Sequence, residues 1–172
     1  ALLLNERFKG RAVLRAIILI PWAAAEWASG VMFRYVYDIK FGTLNGILNT
    51  LGVLPEYAQW ITYESAVTML SIAYAWHLIP LGAFFMLAAL QTVPEDLLKA
   101  GKIDGAGPFL RFRVVVLPFI RYALLITTVI NTLLTATSLD LLFLLTTGGP
   151  GKSTYTLTYY VYDATLTRLD IG

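Results

Sequence analysis

Two stretches of the chain are almost free of charge, and they limit its fold more than any other feature. Between Ala66 and Leu90 the only side chain able to carry charge near neutral pH is His77; between Tyr122 and Leu145 it is Asp140. About 20 apolar residues in a helix cross the roughly 30 Å hydrocarbon core of a bilayer. No water is available there, so each backbone N–H and C=O must be bonded within its own segment, which a helix achieves. Both runs are predicted as membrane-spanning helices, and the charged segment between them, Val93 to Pro118, as a loop at a membrane face. Composition agrees. Of the 172 residues, 58% are hydrophobic and 14% charged, with a mean hydropathy of +0.68, as in a polytopic membrane protein rather than a soluble domain.

The basic residues set the direction of each span. Nine of the thirteen Lys and Arg residues fall in two places: Arg7, Lys9, Arg11 and Arg15 before the first apolar stretch, and Lys99, Lys102, Arg111, Arg113 and Arg121 in or just after the loop. Basic residues flanking a membrane helix stay cytoplasmic. This predicts a span running outward from about Ala12 to Phe33, an external segment from Arg34 to Ser65, a span inward from Ala66, the cytoplasmic loop, and a span outward from about Phe119. Pro21 is expected to kink the first span. The external segment is expected to hold a short surface helix at Leu44 to Leu51, among turns at Gly42, Gly46 and Gly52. Ala1 to Leu4 reads as the tail of a further membrane helix, and no signal peptide is recognisable. Residues 1–172 thus read as a single transmembrane domain, a fragment of a longer protein, with 93–118 as its loop.

That loop is built to be stiff. Pro94 suits the first position of a helix, and Glu95 and Asp96 bring negative charge to the positive end of its dipole. Asp104-Gly105 supplies a turn. Pro108 then restarts a second short helix, with Phe109, Phe112, Val116 and Phe119 on one face. The order of Pro94, Glu95, Leu97, Ala100, Ile103, Asp104, Gly105, Ala106, Phe112, Leu117 and Pro118 resembles the cytoplasmic coupling motif of permease subunits of binding-protein-dependent ATP-binding-cassette importers. The sugar-importer branch, with its maltose-type permeases, is the nearest in pattern. Gly42, Asn45 and Leu48, then Trp76 and Pro80, then Thr146, Gly148, Gly149, Pro150 and Thr154 also match, and Thr156 to Leu166 is similar to the helix that follows in that family. Two residues depart from the motif: Lys99 stands where Glu is usual, and Gly101 where Ala is usual, the latter weakening a helix by about 1 kcal/mol.

The resemblance implies an all-α, polytopic bundle of the type I importer permease kind in the bacterial inner (plasma) membrane, with no catalysis of its own. It implies that Pro94, Glu95, Leu97, Lys99, Ala100, Gly101, Asp104, Gly105 and Ala106 couple to an ATPase subunit. The implied partners are a homologous second permease, two nucleotide-binding ATPases carrying ATP and Mg, an extracytoplasmic solute-binding protein and membrane lipid; the chain itself would hold no cofactor. The implied solute is a sugar or sugar-like compound.

Polar residues inside the spans are the candidates for a solute path. His77 is either a functional group, the default for an ionisable side chain in a span, or a neutral ring bonded to a carbonyl that Pro80 frees on a neighbouring helix. At about 100° per residue, Thr128, Asn131, Thr132, Thr135 and Ser138 share roughly a third of the helix circumference. Such a stripe faces either another helix or a wet path. Hydroxyls can bond their own i−4 carbonyls or join helices, whereas the Asn131 amide cannot be satisfied so locally. Asp140 lies off the stripe, as an interhelical hydrogen bond or a polar contact near the outer mouth. Glu26 reads as an interfacial carboxylate or a solute contact.

Other functions find less support. The net charge of +2 offers no nucleic-acid surface. With no cysteine and one histidine, no disulfide, thiolate site or metal constellation is visible. Thr146 to Thr154, TTGGPGKST, imitates a phosphate-binding loop, but position 146 is Thr rather than Gly, Pro150 removes a donor, and an apolar run rather than a strand precedes it. The remaining rivals are a permease of the same class for another solute, an ion-driven transporter coupled through Asp140, Glu26 or His77, and a membrane enzyme around His77, for which no nucleophile motif is present.

Overall fold

The computed structural model describes residues 1–6 and 8–169, so Arg7, counted above among the basic residues, lies outside the described residues. Among the described residues the regular structure is entirely helical: α1 Leu2–Asn5, α2 Arg11–Ala23, α3 Glu26–Val36, α4 Thr43–Thr50, α5 Ala66–Leu90 and α6 Glu95–Ile103, α7 Pro108–Thr137, and α8 Asp140–Leu145 and α9 Leu157–Tyr162. Helices α5 and α7 are each long and apolar enough to cross a membrane. The chain divides into two compact units, Ala1–Ile20 with Leu78–Leu133 and Pro21–His77 with Leu134–Gly172. The division falls inside α5 and α7 rather than at any loop.

The expected first span is broken. Helices α2 and α3 meet at 90° across Ala24 and Ala25, and Ala25 is extended, with φ −59° and ψ 138°. At about 1.5 Å per residue, 13 and 11 residues reach about 20 and 16 Å, so neither crosses a bilayer alone. Pro21 lies in the last turn of α2, where it removes an N–H and crowds the carbonyl four residues back. The anticipated kink has become a break. The third apolar run is interrupted too, since α7 ends at Thr137 and α8 begins at Asp140.

In the first unit, Leu90, Val93 and Ile120 are buried together, packed by Leu98, Phe112, Val116 and Leu117. The expected separate helix from Pro108 is instead the first part of α7, continuous through a wide π turn at Phe112–Val116. There the Leu117 N–H bonds the Phe112 carbonyl, five residues back. Pro118 follows at once; its ring would crowd the Val114 carbonyl of a regular helix, and the wide turn relieves this. The extra residue shifts the register. Phe112 and Val116 still face the core, but Ile120 takes the inward position expected of Phe119, and Phe109 is left exposed.

The core of the second unit is Phe33, Tyr37, Leu70, Ala73, Tyr74, Leu141, Leu142 and Leu145. Helix α4 lies one residue from its expected bounds and is anchored by Asn45, which is 1% exposed. The Asn45 amide donates to the carbonyls of Ile39 (3.1 Å) and Ala58 (2.9 Å), and its oxygen accepts from the Ala58 N–H (3.1 Å) and Trp60 Nε1 (2.9 Å). One side chain thus closes the segment from residue 39 to residue 60. Gly42 is needed because a Cβ there would fall 2.1 Å from the Asp38 carbonyl oxygen. The Asp38 carboxylate accepts from the N–H groups of Lys40 and Phe41, both at 2.8 Å, and these bonds, that of Phe41 foremost, hold its pKa below the usual carboxylate value. The Gly-x-x-Asn pattern is therefore a folding device.

Asn45→Ala is expected to cost about 3 kcal/mol, since it strands the buried Ala58 and Trp60 donors. The checks are a lowered melting temperature in detergent and faster proteolysis of residues 39–60; unchanged values would remove Asn45 from this role.

Candidate functional site

Helix α6 displays the loop motif. Its N-cap is Pro94, one position earlier than expected, with Glu95 and Asp96 in the first turn and Lys102 in the last. The C-terminus closes on itself: the Ala106 N–H bonds the Gly101 carbonyl at 2.9 Å and the Gly105 N–H bonds the Lys102 carbonyl at 3.2 Å. This double closure requires a left-handed residue at Gly105, whose φ is +75°. Asp104, Gly105 and Ala106 thus have a joint geometric task, to stop α6 and turn the chain toward Pro108.

The helix faces two ways. Leu98 packs into the core of the first unit, whereas Leu97, Ile103, Phe109 and Leu110 are exposed, Ile103 at 86% and Phe109 at 76%. Pro94, Glu95, Lys99 and Ala100 are exposed beside them. Lys99 pairs with Asp96 at 3.2 Å on the surface, a contact of little energetic weight. Gly101 gives room to Arg111: a Cβ there would lie 3.2 Å from Arg111 Cγ. The departure from Ala at this position has a partner in the fold.

The candidate path residues separate into different settings. In the second unit, Glu26 and Ser29 on α3 face Tyr74 and His77 on α5. Ser138, in the break before α8, donates to the Glu26 carboxylate and shares a 2.7 Å hydrogen bond with the Tyr74 hydroxyl. His77 is buried, and its Nδ1 lies 3.4 Å from the Ser29 hydroxyl. Among the described residues its side-chain partner is a serine on α3. Glu26 is half-buried and accepts the bond from Ser138 within the protein. Asp140 is the exposed first residue of α8 and belongs to no long helix.

The residues of the expected stripe differ in exposure and bonding. Thr128 and Thr132 are exposed and satisfied by the carbonyls of Leu124 and Thr128, each at 2.8 Å. Thr135 is exposed as well, while Ser138 leaves the stripe because α7 stops at Thr137. In the first unit, Asn131 is half-buried beside Gly82, where a Cβ would lie 3.2 Å from its Nδ2 and 3.3 Å from Thr127 Cγ2. Helices α5 and α7 cross closely at this point. Thr127, Tyr74 and Ser29 were missed by sequence reasoning; the signal available was their spacing of one helical turn from Asn131, His77 and Glu26.

The Thr146 to Thr154 segment ties itself into a turn. The two threonine hydroxyls meet at 2.7 Å, and Thr154 donates to the Gly149 carbonyl at 3.0 Å. Lys152 sits over the Tyr155 ring, 5.4 Å from its centroid.

Residues 3–169 match the model of the family described as binding-protein-dependent transport system inner membrane component. The chain is 39% identical over 164 residues to the trehalose/maltose transport system permease protein MalF of Thermococcus litoralis, covering 95% of this chain and 55% of that protein. It is 32% identical over 173 residues to the sulfoquinovosyl glycerol transport system permease protein SmoG of Agrobacterium fabrum, covering 100% and 56%. The chain thus spans about half the length of the curated relatives it matches. Its fold is that of a chain in the crystal structure of a bacterial ABC transporter involved in import of the acidic polysaccharide alginate, with a TM-score of 0.81, 20% identity, and coverage of 98% and 60%.

Substitutions at two glycines test the loop geometry. Gly101→Ala is expected to stabilise by up to about 1 kcal/mol, because helix propensity outweighs a small displacement of the flexible Arg111 stem; a lower melting temperature would contradict this. Gly105→Val is expected to destabilise by more than about 1–2 kcal/mol and Gly105→Asn by much less, since Asn tolerates left-handed backbone; equal melting temperatures would remove the conformational requirement.

Proposed function

The chain belongs to the family of binding-protein-dependent transport system inner membrane components, and from that premise we propose that it forms part of the permease subunit of an ATP-driven importer for a carbohydrate. Like other members it is a multi-pass inner-membrane protein. The reading of its coupling mechanism is carried by α6, a self-closed helix that buries Leu98 in its own unit and holds Leu97 and Ile103 outward. Exposed apolar side chains on a rigid surface helix favour a protein partner. That partner is an ATPase subunit on the cytoplasmic side. Nucleotide binding moves the ATPase, α6 transmits the movement, and the spans shift between inward- and outward-open states.

ATP and Mg belong to the ATPases, two per assembly, while this chain carries out no covalent chemistry. A homologous second permease completes the path, and a solute-binding protein docks outside. The alginate transporter has also been crystallised in complex with an alginate pentasaccharide-bound periplasmic protein. The names of the relatives, trehalose/maltose, sulfoquinovosyl glycerol and lactose, support a polyhydroxylated solute. Asn131, beside the close crossing at Gly82, presents an amide suited to hydroxyl groups. Occupancy by solute alters the balance of states only through unequal affinity for them.

With Cys at position 97 (Leu97→Cys), oxidative cross-linking to a cysteine in the ATPase cleft is expected in the assembled complex and is expected to change with nucleotide; no cross-link in either state would sink the coupling role. Asn131→Leu is expected to reduce uptake at least tenfold at limiting solute while the complex still assembles, and unaltered affinity and rate would return Asn131 to packing.

A further inference from the structure

Within the first unit, α2 and α6 line a cavity of about 860 Å³. Arg11 and Arg15 reach it from α2, and Lys99 and Lys102 from α6; Glu6 and Glu95 are the two carboxylates among its described lining residues. Each helix brings a pair of cations about one turn apart; Lys99 is paired with Asp96, and the four cations still outnumber Glu6, Glu95 and Asp96, which leaves the cleft an excess of positive charge that an anion would relieve. Arg15 donates one terminal nitrogen to the Leu4 carbonyl at 2.7 Å, while its buried Nε has no hydrogen-bond partner among the described residues. A guanidinium short of acceptors in a partly buried site is costly.

We propose that this cavity binds one phosphate-bearing anion, held between the cations of α2 and those of α6. A phosphate offers several charged acceptor oxygens, and arginine matches them in a forked geometry. The chemistry suits either the headgroup of an anionic phospholipid in the cytoplasmic leaflet or a soluble phosphate. The bound anion joins α6 to α2 and so stiffens the mounting of the coupling helix. The cytoplasmic placement rests on the importer reading; the anion site itself does not.

The test uses the full-length permease assembled with its partner subunits in detergent, probed with phosphatidylglycerol, phosphatidylcholine and inorganic phosphate by native mass spectrometry and thermal melting. The wild type is expected to retain one phosphatidylglycerol in preference to phosphatidylcholine and to melt several degrees higher with it. Arg11→Gln combined with Lys102→Gln is expected to weaken this binding at least tenfold, and Lys102→Gln alone, a surface change safe for folding, by about threefold; Lys152→Gln, outside the cavity, is expected to bind as wild type. Inorganic phosphate that displaces the lipid, or raises the melting point by itself, supports the site and assigns a soluble source. Equal retention of the two lipids with no effect of phosphate, or equal anion binding by wild type and Lys102→Gln, overturns it. ATPase stimulation measured on the same samples separates the two readings: intact coupling without selective anion binding defeats this inference alone, and selective binding without coupling defeats only the importer reading.

Discussion

Backbone that enters hydrocarbon must keep its hydrogen bonds to itself, and every interruption of a helix there must be repaired by some other group. Among the described residues, the first and third apolar runs are each interrupted, between α2 and α3 and between α7 and α8. The interruptions also bring polar side chains close, where they bond one another and, in one case, a backbone carbonyl. Glu26 opens α3, Ser138 lies in the second break, and Tyr74 on α5 bonds to Ser138. Thr158, just inside α9, donates to the carbonyl of Ala136 in the last turn of α7. Polar residues that resemble a solute path by composition are, in part, the joinery of broken helices.

The loop between α5 and α7 follows a different logic. It lies where water or protein can satisfy polar groups, so its order comes from local closure rather than from exclusion of solvent. Val93 is buried at its entry, the Gly105 turn stops α6, and the π turn before Pro118 leads into the long span. With both ends tied, α6 is held in place as a surface helix. Its outer face has no apolar cover within the described chain, whereas its inner side faces a basic cavity. One short helix therefore presents three kinds of surface: a side packed on its own core, an exposed apolar face and a basic side lining a cavity.

Much of this was legible from residue order. Helix α5 runs over the residues expected of it, because a largely apolar run of 25 residues without fixed charge satisfies its backbone in a membrane best as a helix. The stop at Gly105 was legible because glycine adopts that backbone at the lowest cost. The role of Asn45 was not, although the residue itself stood out. Its partners at positions 39, 58 and 60 become neighbours only once the segment has folded. Nor was the displacement of Phe119 from the core, since one wide turn resets the phase of every residue after it.

Hydrophobic runs, charge asymmetry and the proline–glycine punctuation of the loop by themselves determined an all-helical membrane chain and the position of its surface helix, because these features act through local backbone preference and transfer out of water. The tertiary structure alone decided whether Pro21 bends or breaks a helix, which hydroxyls face a partner, and where two cation pairs meet across a cavity. Those outcomes depend on contacts between residues far apart in the chain, whose energies exist only after the helices have packed.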